Sequence, residues 1–304
     1  MSFNSNPIVS EITGYTEQHK SELLVKALMA GKSREMFNFI QVNGPTTLNL
    51  MSNDILFQSA AECGFSHSGS TTFSQRVLDP KPIKVNMEWC DKVLIPTYQN
   101  WQIKVAAGRE TLPYSEEIVN NVLDKISEGI EKMLYQGSSA STNEFQGLIE
   151  QLDADANSVK VNVASGSTAL EAIRQVAAAV PKQIRDVKIL VGADTYYDYV
   201  QALVNANLFH YMPNDYQAGV APDSYVLPGT DIVVEKIPGL TGTKKIIAAN
   251  MDNLFYGANV AEDDPNSNFE FWYSKDDRTF KFVWEGLMGT NYAFSDEIVI
   301  GTLN

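Results

Sequence analysis

The stretch LPYSEEIVNNVLDKISEGIEKMLYQG, residues 112–137, reads as one long amphipathic helix. Ile118, Val122, Ile126, Ile130 and Met133 recur at spacings of four, four, four and three, and Val119, Leu123 and Leu134 widen the stripe. Asn121, Asp124, Lys125, Glu128, Glu131 and Lys132 fall mostly on the other side, as a 3.6-residue period requires. Ser115 is placed to cap the first amides, and Glu116 and Glu117 sit where the helix dipole favours negative charge. Gly137 can take the left-handed conformation that closes the last turn. From residue 115 to 136 the helix would run roughly 33 Å at ~1.5 Å per residue, longer than the usual three or four turns. A rod of that length suits a flat, extended subunit better than a compact enzyme.

Upstream, residues 1–18 are polar and punctuated by Asn4, Asn6, Pro7 and Gly14, an arm without a core of its own. SELLVKALMA (21–30) reads as a short helix with Leu23, Leu24, Ala27 and Leu28 on one face and Gly31 as its stop. TTFSQRVL (71–78) and IKVNMEW (83–89) flank Asp79-Pro80-Lys81-Pro82. In the second, Ile83, Val85, Met87 and Trp89 alternate with Lys84, Asn86 and Glu88, the pattern of a strand with two unlike faces. Two prolines and an aspartate make the join a turn, so the two segments are expected to form one long hairpin. An isolated hairpin is marginal in water, which calls for this one to lie on another chain.

Downstream, STALEAIRQVAAAV (167–180) is a second helix, capped by Ser165 or Ser167 and stopped at Pro181. VKILV (187–191) is a short buried strand, and Asp194 is placed to cap the helix TYYDYVQALVNA. DIVVEKI (231–237), KIIAA (245–249) and the run Ile298, Val299, Ile300 are strands. FEFWYS (269–274) and TFKFVWE (279–285) alternate aromatic with polar residues across Lys275-Asp276-Asp277-Arg278, a hairpin signal. The succession is α+β, without a regular βαβ alternation.

At 304 residues the chain can bury a substantial core, and its 44% hydrophobic content is that of a globular protein. Twenty-three basic against 37 acidic residues leave a net charge of −14, which excludes a dedicated nucleic-acid binder with a clustered basic footprint. Two cysteines, Cys63 and Cys90, are too few for a disulfide framework. The first residues lack a basic region followed by an apolar run, and no apolar stretch approaches the ~18 residues of a membrane span.

Chemistry-bearing motifs fail one by one. Gly31-Lys32-Ser33 follows a helix rather than a strand, and Lys26 stands where a phosphate-binding loop needs glycine. Ser165-Gly166-Ser167 lacks the frame of a nucleophile elbow. Cys63, His67 and Cys90 are conceivable zinc ligands without any paired spacing; His19 and His210 are the remaining histidines. Glu262, Asp263, Asp264, Asn266, Asn268 and Glu270 are oxygen-rich, but Pro265 interrupts the regularity of a calcium loop. Phe269, Phe271, Trp272, Tyr273, Phe280, Phe282 and Trp284 would suit a single-strand stacking platform only if interleaved with uncompensated cations; the competing reading is a sheet packed on a helix.

Taken in order, these segments resemble a tailed-bacteriophage major capsid protein of the Hong Kong 97-like fold. The polar segment before the first helix resembles the N-terminal arm, and the hairpin from Arg76 to Trp89 the extended loop that lies over an adjacent subunit. The segment 112–137 followed by FQGLI resembles the spine helix and the link after it. VKILVGADTYYDYVQAL and PGTDIVVEKIPGL resemble the entry to and return from the axial domain. KKIIAANMDNLFYGANV, FEFWYS, TFKFVWE and AFSDEIVIGTLN are similar to the closing peripheral sheet.

The resemblance implies an α+β subunit with an arm over 1–20. A first helix, an extended loop (about 57–90) and a connection would fill 21–110. The spine with peripheral domain would fill 111–190, an axial domain 191–244 and a peripheral sheet 245–304. It implies hexamers and pentamers forming an icosahedral head around non-specifically packaged double-stranded DNA, assembled in a host bacterial cytoplasm. No catalytic residue, cofactor or metal is implied. Portal, separate scaffolding and decoration proteins would be its partners. Arg76, Leu78, Lys81, Ile83, Lys84 and Trp89 are the expected subunit-interface residues. An encapsulin-like compartment shell is the alternative within the same fold. A monomeric hydrolase or ligand-binding protein using a cleft among residues 205–230 is the alternative from another class.

Overall fold

The structure, a computed structural model, describes residues 20–59, 68–90, 103, 114–208, 223–259, 268–274 and 276–303. The arm (1–18), Cys63, His67, His19, His210, the acidic run 262–267 and most of the loop 205–230 lie outside them.

The long helix is present as α3, Tyr114–Gln136, after two short ones, α1 (Lys20–Met29) and α2 (Lys32–Met36). Ser115 falls inside the first turn of α3 rather than ahead of it. Gly137 does not adopt the left-handed conformation. It is required for another reason: a Cβ there would stand 2.2 Å from the Phe145 carbonyl oxygen, and Gly147 N donates to Gly137 O at 2.9 Å. The link 138–147 thus folds back onto the helix end and delivers α4 (Leu148–Ala154) against it.

One sheet is built on the long strand β12 (Thr279–Tyr292). On one edge it pairs with β11 (Asn268–Ser274) and then with β10 (Leu254–Ala258), which carries the parallel strand β1 (Asn38–Gln41). β11 and β12 form the hairpin that the alternating aromatics predict. The pairs Phe269↔Trp284, Phe271↔Phe282 and Tyr273↔Phe280 share a face that packs toward α3.

On its other edge β12 pairs with β4 (Lys81–Cys90) from Lys81↔Met288 to Cys90↔Thr279. Residues 71–78 and 83–89 therefore do not pair with each other. β3 (Gly69–Leu78) instead pairs with β2 (Thr46–Ile55) as a separate two-stranded ribbon. The two prolines of the join have no amide to close a hairpin turn. The apolar face of β4 finds burial on the spine that a bare hairpin could not give it.

A second sheet has the order β5 (Val159–Asn162), β13 (Val299–Thr302), β9 (Lys245–Asn250), β6 (Val187–Val191), β8 (Val233–Lys236), β7 (Ser224–Val226). Its central strands β13, β9 and β6 are buried on both faces. Ile189, Val191, Ile246, Ala248 and Val299 pack on α5 (Ala169–Ala179) and α6 (Ala193–Asn205), while Leu190, Ile247, Ala249 and Ile300 join the core around α3. Double burial is why these strands read as unbroken apolar runs. It also divides the stretch 245–304, expected as one sheet, between two: β9 and β13 here, β10 to β12 in the other.

Two caps differ from expectation. Thr168, not Ser165 or Ser167, caps α5, in a reciprocal box with Glu171. Asp194 lies within the first turn of α6, where its carboxylate accepts from Gly242 N at 3.3 Å.

Candidate subunit interface

The ribbon β2–β3 pairs ten residues with ten, from Thr46↔Leu78 to Ile55↔Gly69, and extends roughly 30 Å at ~3.3 Å per residue. Directly opposed residues point to the same side. One side carries Val77, Met51↔Phe73 and Ile55, which are 54%, 55%, 75% and 72% exposed. Leu56 and Phe57 continue beyond the ladder, Phe57 at 98% exposure. These large apolar side chains are open to water and alternate along the face with the polar pairs Asn49↔Gln75 and Asn53↔Thr71; exposed apolar surface of this kind is characteristic of protein–protein contact sites.

The other side of the ribbon is fastened at its root. Leu78 and Leu48 are buried. Leu78 packs so closely on Gly257 that a Cβ there would meet its methyl at 2.8 Å. Arg76 donates to Asp155 Oδ2 at 2.6 Å and lies 4.2 Å over the Tyr292 ring. Tyr292 donates its hydroxyl to the same carboxylate oxygen at 2.9 Å, and Asn291 Nδ2 to Val77 O at 2.8 Å. The Arg76 hydrogen bond holds the Asp155 carboxyl down at about 2, whereas burial and that carboxylate push the Tyr292 hydroxyl up to about 12.

A buried polar clasp fixes α1 and α2 to the spine. Ser33 donates through both its amide (3.1 Å) and its hydroxyl to Glu131 Oε1, and Tyr135 donates to the Ser33 hydroxyl at 2.7 Å. Arg34, 1% exposed, donates to Ala27 O, Leu28 O, Ser127 O and Ser127 Oγ at 2.6–3.1 Å, with Glu131 Oε2 3.8 Å from its Nε. Burial lowers the Arg34 guanidinium below its ordinary value, and burial raises the Tyr135 hydroxyl well above its own. Lys32 reaches outward to Glu235 at 2.8 Å. Gly31-Lys32-Ser33 is thus a structural joint between helices, with its serine hydroxyl already committed.

The six expected interface residues separate. Leu78 and Ile83 are buried in their own chain, which corrects their expected place at a partner. Arg76 holds the ribbon root, and Trp89 stacks on Phe271 with ring centroids 6.0 Å apart. Lys81 is half-buried and Lys84 exposed on the outer face of β4. Met51, Ile55, Phe57 and Phe73 were missed. The available signal was their apolar character between the polar residues that run from Asn49 to Gln75. The aromatic cluster is core: Phe269, Phe271, Phe280, Phe282 and Trp284 are buried, with rings packed edge-on or tilted. Cys90 is exposed at the end of β4. Among the described residues no helix is long and apolar enough to cross a membrane.

No protein-family model matches the sequence, and no curated protein matches it by sequence. Solved structures do match. The satellite phage P4 procapsid including its size determination protein superposes with a TM-score of 0.58 at 8% identity, over 94% of this chain and 98% of that one. A structure from Microbacterium phage Oxtober96 gives 0.56 at 12% identity over 91% and 92%. A virus-like particle from Pyrococcus furiosus gives 0.52 at 10% identity over 94% and 98%. With helices and sheets in this order along nearly its whole length, the chain has the α+β, Hong Kong 97-like fold of tailed-phage capsid proteins.

Proposed function

We propose that this chain is a major capsid protein, a structural subunit that assembles into hexamers and pentamers of an icosahedral phage head. The observation that carries the reading is the ribbon: its root is latched by Arg76, Asp155 and Tyr292, while Met51, Ile55, Phe57 and Phe73 are left in water. A stiff arm with an uncovered apolar face is completed by a neighbour of the same kind. The role is mechanical rather than catalytic. The ribbon and the arm make the intersubunit contacts, with Lys81 and Lys84 at their rim, and Arg76, Leu78, Ile83 and Trp89 set the posture of the strands from within. Residues 191–244 serve as the axial domain. A net charge of −14 suits a container that packs double-stranded DNA without gripping it. Portal, separate scaffolding and decoration proteins are the partners this role calls for, in a virion assembled in the host cytoplasm.

Negative-stain imaging of the expressed chain tests the reading: closed shells are expected. A monodisperse 34 kDa species at high concentration, with saturable binding of a small ligand, would overturn it in favour of a monomeric enzyme or binding protein. The likeness to a virus-like particle favours one second reading, an encapsulin-like compartment. The content of purified particles, DNA or a protein cargo, separates the two.

A further inference from the structure

The ribbon joins the body through two short connections. Asp79 and Pro80, between β3 and β4, are packed down: Pro80 is buried, and a Cβ on Gly289 would stand 3.1 Å from its Cα. The other connection, residues 42–45 between β1 and β2, is looser. Val42 N donates to Ala258 O at 3.2 Å, and Thr46 enters the ladder opposite Leu78. Between these two fixed points Asn43 is exposed. Neither its side chain nor the Gly44 amide makes a hydrogen bond among the described residues. A Cβ on Gly44 would meet nothing within 4 Å. Asn43-Gly44 is also the one Asn-Gly pair in the sequence.

We propose that Asn43 is a site of self-modification at the foot of the ribbon. The Gly44 amide nitrogen bonds to Asn43 Cγ, and the Cγ–Nδ2 bond breaks. Nδ2 leaves as ammonia with the proton that the Gly44 amide gives up, and a succinimide ring remains. Water then opens the ring at either carbonyl, giving an aspartyl or an isoaspartyl residue. The reaction needs an asparagine carboxamide free to turn and a following amide with no side chain to crowd it. Asn157-Ser158 shows what withholds it elsewhere. Asn157 N is tied to Asp155 Oδ1 at 2.9 Å, and Ser158 is buried with its hydroxyl on Leu152 O and Asp155 O. Both products add a negative charge, and the isoaspartyl form lengthens the main chain by a methylene. Because Pro80 holds the other connection fixed, the added length tilts the ribbon from the Asn43 side. None of this depends on what the ribbon touches.

The test uses the full chain, dispersed and freshly purified. It is held at mildly alkaline pH, which ionises more of the Gly44 amide, until a parallel sample in urea has converted, and is then digested with trypsin. The peptide 35–76 is expected to gain about 1 Da, with fragmentation placing the change at residue 43 and an isoaspartyl methyltransferase labelling it. Gly44 is outside the left-handed region and a Cβ there has room, so Gly44→Ala should melt as the parent does. Its conversion should be roughly tenfold slower, since the methyl crowds the attacking amide. A folded chain that keeps Asn43 intact overturns the proposal. So does conversion undiminished in Gly44→Ala, or conversion at Asn157 as fast as at Asn43. Hydrogen exchange tests the consequence: aged parent protein should exchange faster over residues 46–50 than aged Gly44→Ala, and equal rates would overturn the tilt.

Discussion

Replacing Arg34 by methionine tests whether the buried clasp holds the first two helices on the spine. Arg34 is 1% and Glu131 4% exposed, so neither charge has water to fall back on. The substitution keeps bulk but removes four hydrogen bonds, leaving the carbonyls of Ala27, Leu28 and Ser127 to find other donors. It also strands the Glu131 carboxylate, whose Oε2 makes no hydrogen bond among the described residues. Breaking one side of a buried ion pair costs about 3–5 kcal/mol. At roughly 2–4 °C per kcal/mol for a large domain, the melting temperature should fall by about 10 °C. Glu131→Gln retains an acceptor for Ser33 and should cost less. The assay is thermal and urea unfolding of the dispersed chain at low concentration, where assembly does not contribute. An Arg34→Met protein within about 1 kcal/mol of the parent would refute the argument that this pair is committed inside.

The remaining predictions concern the ribbon and one cap. Met51→Ser with Phe73→Ser exchanges two side chains that are more than half exposed, so the subunit should melt normally while particle yield drops; light scattering and imaging read both. Asp155 is held at about 2 against an ordinary 3.8, so its contribution is complete above about pH 4 and fades as pH falls toward 2. That gap corresponds to roughly 2.5 kcal/mol undiluted. Solvent screening at the partly open ribbon root leaves about 1 kcal/mol. Asp155→Asn should flatten stability against pH between 4 and 2, and an unchanged slope there would contradict the latch. Thr168→Ala removes the reciprocal cap of α5 and should cost about 1 kcal/mol in urea unfolding, whereas Ser165→Ala and Ser167→Ala should not.

The sequence by itself determined what depends on near neighbours. The 3.6-residue stripe through Ile118, Val122, Ile126 and Ile130 specifies a helix wherever it is placed, because its side chains meet along one face regardless of what covers them. The alternating rings from Phe269 to Trp284 specify a hairpin for the same reason, since four residues separate the strands and the pairing is local. The alternation in Ile83, Val85, Met87 and Trp89 showed that residues 81–90 have two unlike faces, but a strand's period says nothing about which strand lies beside it. Tertiary structure decided that β4 pairs with β12, some 200 residues on, and that β3 turns to β2. It also brought Ser33 and Arg34 to Glu131 across 98 residues, turning polar side chains that look solvated in sequence into buried ones. Partners so distant are chosen by competition among all surfaces the chain can bury, and that choice exists only once the whole chain is folded.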